Sequence, residues 1–311
     1  MMAPAGSKHG SGEFPNETVR LLFERSSCRS FLDKRIPENV LSLVLDAGTH
    51  APTAGNLQPY SIIRIENEGT KQKLAEICEQ SFIGKAPVLL LFCLDLHRNE
   101  RWAKLETAPY TATSSFRHFW VSFQDTIICA QNICTAADSM GLGSVYIGTV
   151  IDKPAEIQAM FKLPKGVFPV VLVCMGYPMK RMKPRNKLGA KVVVHPEYYR
   201  EMKDQEIIET YDQKYSDEKH QSAKLGISEE RLKTIMKVCR TVNGEKFAKK
   251  CADRIKANGY INIAQHYFGL HYRADEMPKG NDNYFRLMEK SGFKWFKKYQ
   301  APFSAKRTQR E

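Results

Sequence analysis

The 311-residue sequence has no long apolar run; its longest, Pro87–Leu94, is far too short to cross a bilayer. Residues 1–14 are rich in Gly, Ser and Pro and lack the apolar stretch of an export signal, so residues 1–15 read as a floppy tail. Without such a signal, a cytoplasmic protein with reduced thiols is expected. None of the eight cysteines (28, 78, 93, 129, 134, 174, 239 and 251) forms a C-x-x-C pair, which argues against zinc and iron–sulfur sites. Cys93 and Cys174 fall in predicted strands and Cys129 and Cys134 in a predicted helix, where cysteine packs as a small hydrophobe. The sequence also contains no internal repeat.

Acidic charge is scarce. The net charge is +13, and residues 216–311 hold 21 Lys and Arg against 11 Asp and Glu. No recognisable nucleic-acid module accompanies this excess, so a solvated surface is the expected role and nucleic-acid binding is not.

In chain order, Asn16 offers a side-chain cap to a helix carrying Val19, Leu21 and Leu22. That helix runs into Arg25, Ser26, Ser27 and Arg29, a dense group of donors. Arginine suits phosphate because its planar fork binds two oxygens at once, although a solvated helix end would use the same residues. A second helix starts near Pro37 and stops at Gly48. The polar loop Thr53–Tyr60 places Asn56 and Gln58 where their amides can address a heterocycle edge, or make ordinary turns. Strands are predicted over Tyr60–Ile65, Val88–Leu94 and Phe168–Met175, with a helix over residues 70–80. Residues 97–118 read as an irregular loop, a lid or an interface element, with Arg98, Arg101 and Arg117. A long helix follows from Phe119, its small residues Ala130, Ala136 and Ala137 suiting a dimer centre. After the fourth strand, Lys183 and Arg185 flank Pro184 and form a second basic cluster. Helices are predicted from Ser228 and again up to Asn258.

The stretch from Ala136 to Val150 is the most informative. Gly141 and Gly143 read as a helix C-cap and a tight turn. Gly148 sits where the strand Ser144–Val150 should end on apolar residues. Glycine there points to a close approach to the backbone, by a flat cofactor or by a bulge or packed helix.

Five segments in order resemble the FMN-dependent nitroreductase family, in particular its NADPH-preferring flavin oxidoreductase branch. They are Arg25–Phe31, Ala51–Pro59, Ala130–Asn132, Gly141–Gly148, and Gly176–Pro178 followed by Lys183–Arg185. The resemblance covers about residues 16–215. It implies an α+β fold in which a mixed β-sheet is wrapped by helices and two chains intertwine as a homodimer. The implied chemistry is ping-pong transfer from NADPH or NADH through FMN to a nitroaromatic, quinone or flavin acceptor. By the same resemblance, Arg25, Ser26, Ser27, Arg29, Lys183 and Arg185 would hold the FMN phosphate. Pro52, Thr53, Asn56 and Gln58 would come from the partner subunit, and Tyr146, Ile147, Gly148 and Thr149 would line the ring. No side chain is nominated as a nucleophile, and no metal is expected. Rival readings are reductive dehalogenation, flavin-fragmenting chemistry, and a non-catalytic flavin- or polyanion-binding protein. Residues 216–311 are expected as a basic, mostly helical extension, a lid or a cover for the dimer. Phe285–Phe293 resembles the end of that branch, which implies an insertion before it.

Overall fold

A computed structural model describes residues 14–216 and 225–299. The expected tail therefore lies almost wholly outside the described residues. The described chain falls into two compact units, one of residues 14–184 with 282–299 and one of residues 185–216 with 225–281.

The first unit contains α1 (Glu17–Glu24), α2 (Glu38–Thr49), β1 (Tyr60–Ile65), α3 (Glu68–Ile77), β2 (Val88–Asp95), α4 (Leu96–Leu105), α5 (Phe116–Ser139), β3 (Gly143–Ile147), α6 (Pro154–Met160) and β4 (Val167–Gly176). The sheet order is β1-β2-β4-β3. Each described pairing is antiparallel, so the α+β fold is as expected while the described sheet is not mixed. Every residue of β2 and of β4 is buried. Successive side chains of a strand point to opposite faces. Val88, Leu90, Phe92 and Leu94 accordingly join the core containing Leu41, Val44, Cys129 and Ile133. Leu89, Leu91 and Cys93 join the core containing Leu74, Ala75 and Ile157. Covering both faces is what makes the run continuously apolar. The β2–β4 register shifts at Phe92/Cys93, and Pro169, which has no N–H for the ladder, pairs at that irregularity.

Two expectations about helices are corrected. Residues 97–118 are largely regular, because the Asp95 side chain accepts the Arg98 N–H at 2.9 Å and caps α4. On α5, Ala130 and Ala137 are buried in the chain's own core. The apolar side chains that α5 exposes are instead Phe116, Trp120, Phe123 and Ile128.

The last described segment belongs to this unit. In α12 (Asn281–Lys290) and the residues after it, Met288 and Phe293 are buried in the main core. Phe293 meets Phe119 edge-on at 5.3 Å between ring centroids. The Gly166 N–H donates to Ser291 O at 2.8 Å, and the Lys294 N–H to Thr113 O at 2.9 Å.

The second unit contains α7 (Ala190–Val193), α8 (Asp204–Lys214), α9 (Glu229–Asn243), α10 (Glu245–Asn258) and α11 (Ile263–His266). Ser228 caps α9 by accepting the Arg231 N–H. The α9–α10 hairpin closes over a small core of Ile235, Ile255 and Ile261. All eight cysteines are free thiols, six of them buried.

Candidate functional site

Helix α5 is the spine of the site, and three of its polar side chains each hold one segment. Asp138 lies near its C-terminal end, Gln131 one to two turns earlier, and Asp125 in its first half.

At the Asp138 end, the extended segment after α1 runs beside β3. The Cys28 N–H donates to Ser144 O at 3.0 Å. Gly143 makes that approach possible, since a Cβ there would stand 2.7 Å from the Cys28 Cβ. Its φ is not in the left-handed region, unlike that of Gly141 at 78°, so close approach and not a turn requires glycine at 143. The chain after β4 continues alongside, the Leu32 N–H donating to Tyr177 O at 2.8 Å and the Met179 N–H to Ser30 O at 3.0 Å.

Arg25 is folded inward here, its side chain only 21% exposed and 3.9 Å from the Asp138 carboxylate. Its guanidinium carbon lies 5.7 Å from the centroid of the Tyr146 ring. Its Nε and Nη2 are buried without a hydrogen-bond partner, as is the Ser144 Oγ. Arg181 takes the same carboxylate, donating from Nη1 to Asp138 Oδ1 at 3.1 Å and from Nη2 to Leu142 O at 2.9 Å. Burial pushes the Asp138 carboxyl above the ordinary aspartate value, and Arg181 and then Arg25 oppose that shift. Ser26 and Ser27 are half-buried beside this group, and Arg29 is exposed.

The middle of the site is β3 and the turn after it. The Tyr146 hydroxyl donates to Gln131 Oε1 at 3.3 Å, and burial raises its phenol above the usual range. The strand ends at Ile147 instead of Val150, and Gly148–Ile151 forms a single 3-10 turn. Gly148 is exposed, and a Cβ built on it would meet nothing within 4 Å. A bulge or a packed helix of this chain therefore does not explain the glycine. Thr149 accepts from Gln80 Nε2 at 3.1 Å.

At the Asp125 end sits the loop of Pro52, Thr53, Asn56 and Gln58. Asn56 and Gln58 take left-handed φ values of 54° and 45°, a conformation that a side chain makes costly and that the surroundings must impose. Asp125 accepts the Ala54 N–H at 3.2 Å. The Gln58 side chain donates to Thr49 O at 2.9 Å, and its N–H donates to Thr53 Oγ1 at 3.2 Å. Arg98 donates to Gln58 O and, at 3.0 Å, to Tyr60 O. It is a brace for the loop and not a free cation of a lid.

The structure thus brings Arg25, Ser26, Ser27 and Tyr146 together and sets the 52–58 loop apart. Thirteen residues of α5 separate Asp125 from Asp138, about 20 Å at 1.5 Å per residue. Lys183 is exposed on the chain after β4, and Arg185 opens the second unit. Sequence reasoning missed Asp138, Arg181 and Ser144. Only Asp138 left a signal, as one of two carboxylates, with Asp125, on the buried stripe of α5. Among the described residues, no group of three or more His, Cys, Asp or Glu is placed to hold a metal, and no helix is long and apolar enough to cross a membrane.

Comparison with known proteins gives the family. An FMN reductase [NAD(P)H] of Bacillus subtilis is 32% identical over 186 residues, covering 59% of this chain and 75% of the relative. An NADPH-flavin oxidoreductase of Vibrio harveyi is 30% identical, covering 64% and 80%. The solved structure of NfrA2 from B. megaterium superposes with a TM-score of 0.66 at 26% identity, covering 91% of this chain and all of the other. Residues 22–177 match the Nitroreductase family, half of the chain. The chain belongs to the nitroreductase family.

Proposed function

We propose that the protein is an FMN-dependent oxidoreductase that takes reducing equivalents from NADPH or NADH and passes them, in ping-pong order, to a nitroaromatic, quinone or flavin acceptor. The observation that carries this reading is Arg25. A partly buried guanidinium with two of its nitrogens unmatched is costly to keep, because a desolvated donor forfeits its bonds to water. A phosphate supplies acceptors of the right charge and spacing. Ser26 and Ser27, next in sequence, and the unmatched hydroxyl of Ser144, whose carbonyl accepts the Cys28 N–H, offer further donors.

When bound, FMN supplies the hydride-accepting and hydride-donating ring chemistry, and the protein's part is to bind, orient and shield. Arg25, Ser26, Ser27, Arg29 and Lys183 would hold the phosphate. Gly148 leaves its side of the turn open, so a flat ring can lie against the backbone of Tyr146–Thr149. The separation along α5 keeps the loop of Pro52, Thr53, Asn56 and Gln58 from this phosphate site in the same chain, which supports its serving the site of a partner copy. The apolar side chains exposed on α5 supply a surface for that homodimer. We place the enzyme in the cytoplasm, where its eight free thiols stay reduced. The second unit is read as an insertion that extends the enzyme.

Titration of apoprotein with FMN tests the reading. Arg25→Met forfeits charge-assisted hydrogen bonds worth about 3 kcal/mol, or about a hundredfold in affinity. A variant that holds FMN as tightly as the native protein refutes the phosphate assignment.

A further inference from the structure

The partners of Asp138 bear on why Arg25 makes no hydrogen bond from Nε or Nη2. A carboxylate this deeply buried, with 4% of its side chain exposed, needs a close cation. Arg25 is near enough to supply one, yet it stops at 3.9 Å, beyond hydrogen-bonding distance. Arg181 reaches instead from the chain after β4, its fork spanning Asp138 Oδ1 at 3.1 Å and Leu142 O at 2.9 Å. That second bond fixes the plane of the guanidinium, so one arginine binds Asp138 Oδ1 and a backbone carbonyl at once, while Asp138 Oδ2 faces Arg25 Nε at 3.9 Å. Nε and Nη2 of Arg25 are left without a hydrogen-bond partner.

We propose that Arg181 is a positioning residue, which occupies Asp138 and thereby keeps the Arg25 guanidinium available for the phosphate of a flavin nucleotide. This inference rests on the FMN reading above and adds a residue outside the motifs that suggested it. Without Arg181, the buried carboxylate draws Arg25 into a full ion pair and the anion loses its principal donor. Asp138 is then a competitor that Arg181 silences.

A double-mutant cycle on full-length apoprotein, read by FMN titration, separates this from simple charge. Arg181→Met should weaken FMN binding about tenfold. Adding Asp138→Asn to that variant should restore most of the loss, whereas Asp138→Asn alone should change binding less than about threefold. Arg181→Lys, which keeps the charge and loses the fork, should resemble Arg181→Met, and apoprotein unfolding midpoints check that each variant folds. The inference is overturned if Arg181→Met binds like the native protein. It is equally overturned if Asp138→Asn improves binding by the same factor in both backgrounds, since additive effects are what unlinked charges give. Native protein that takes up no FMN sinks the underlying reading as well, whereas tight native binding with unaffected variants sinks this inference alone.

Discussion

Gly148 and Gly143 lie five residues apart in one segment, and alanine should affect them in opposite ways. A Cβ at Gly148 meets nothing within 4 Å, and the residue is not among those with positive φ. Gly148→Ala should therefore leave the stability of the apoprotein within about 0.5 kcal/mol of native. A Cβ at Gly143 would stand 2.7 Å from the Cys28 Cβ, with the backbone bond from Cys28 N to Ser144 O holding the two segments together. Gly143→Ala should cost about 1–3 kcal/mol through overpacking. In FMN binding, the variant that folds without strain should fail. If a ring lies against Gly148, its new methyl is the overpacked group, and about 1–3 kcal/mol lost there is about tenfold to hundredfold in affinity. Urea unfolding of both apoproteins and FMN titration of Gly148→Ala provide the readouts. An equally destabilised Gly148→Ala, or one that binds FMN as tightly as native protein, refutes the reasoning.

Three further outcomes are expected. Phe293→Ala removes a fully buried ring packed on Phe119 and Phe168 and should cost about 3–5 kcal/mol in urea unfolding. Arg98→Met takes away the donor to Gln58 O and Tyr60 O and should cost about 1.5–3 kcal/mol, with faster proteolysis near the left-handed residues Asn56 and Gln58. Burial holds the Asp125 carboxyl above the ordinary aspartate value, while the Ala54 N–H pulls it back. The folded protein thus keeps this proton to higher pH than the unfolded chain. Stability from this group is present below the ordinary aspartate value and is lost as pH rises through the raised one. Asp125→Asn should accordingly gain on native protein at neutral pH, with the difference closing near about pH 3 when both are unfolded in urea.

The elements legible in the sequence were those whose pattern is local. Val88–Leu94 reads as a strand because both faces are covered, and Asn16 and Ser228 mark their helices because each caps within its own segment. Helix α4 was missed because its run from His97 to Arg101 has no apolar period and its cap, Asp95, is the last residue of a strand. The strand after Gly143 was drawn too long because Thr149, Val150 and Ile151 have strand-like side chains, although the backbone turns at Gly148. The basic residues at 25–29 stand out in sequence, but what leaves Arg25 without a hydrogen bond from Nε or Nη2 does not. Asp138 and Arg181 are 43 residues apart, and Arg181 is hidden in a charged run where any residue could be solvated. The sequence leaves Gln58 either to address a heterocycle edge or to make an ordinary turn, and only the structure shows its Nε2 donating to Thr49 O. Side-chain commitments of this kind depend on tertiary contacts that no local pattern encodes.

The most direct test of the central claim is the absorbance spectrum of the purified protein, recorded anaerobically before and after addition of NADPH. Flavin bands that bleach with NADPH, and return when a quinone or nitroaromatic is added, are the predicted result. Bands that survive NADPH and bleach only with dithionite would contradict the nicotinamide assignment. A colourless protein that takes up no added FMN would contradict the account as a whole.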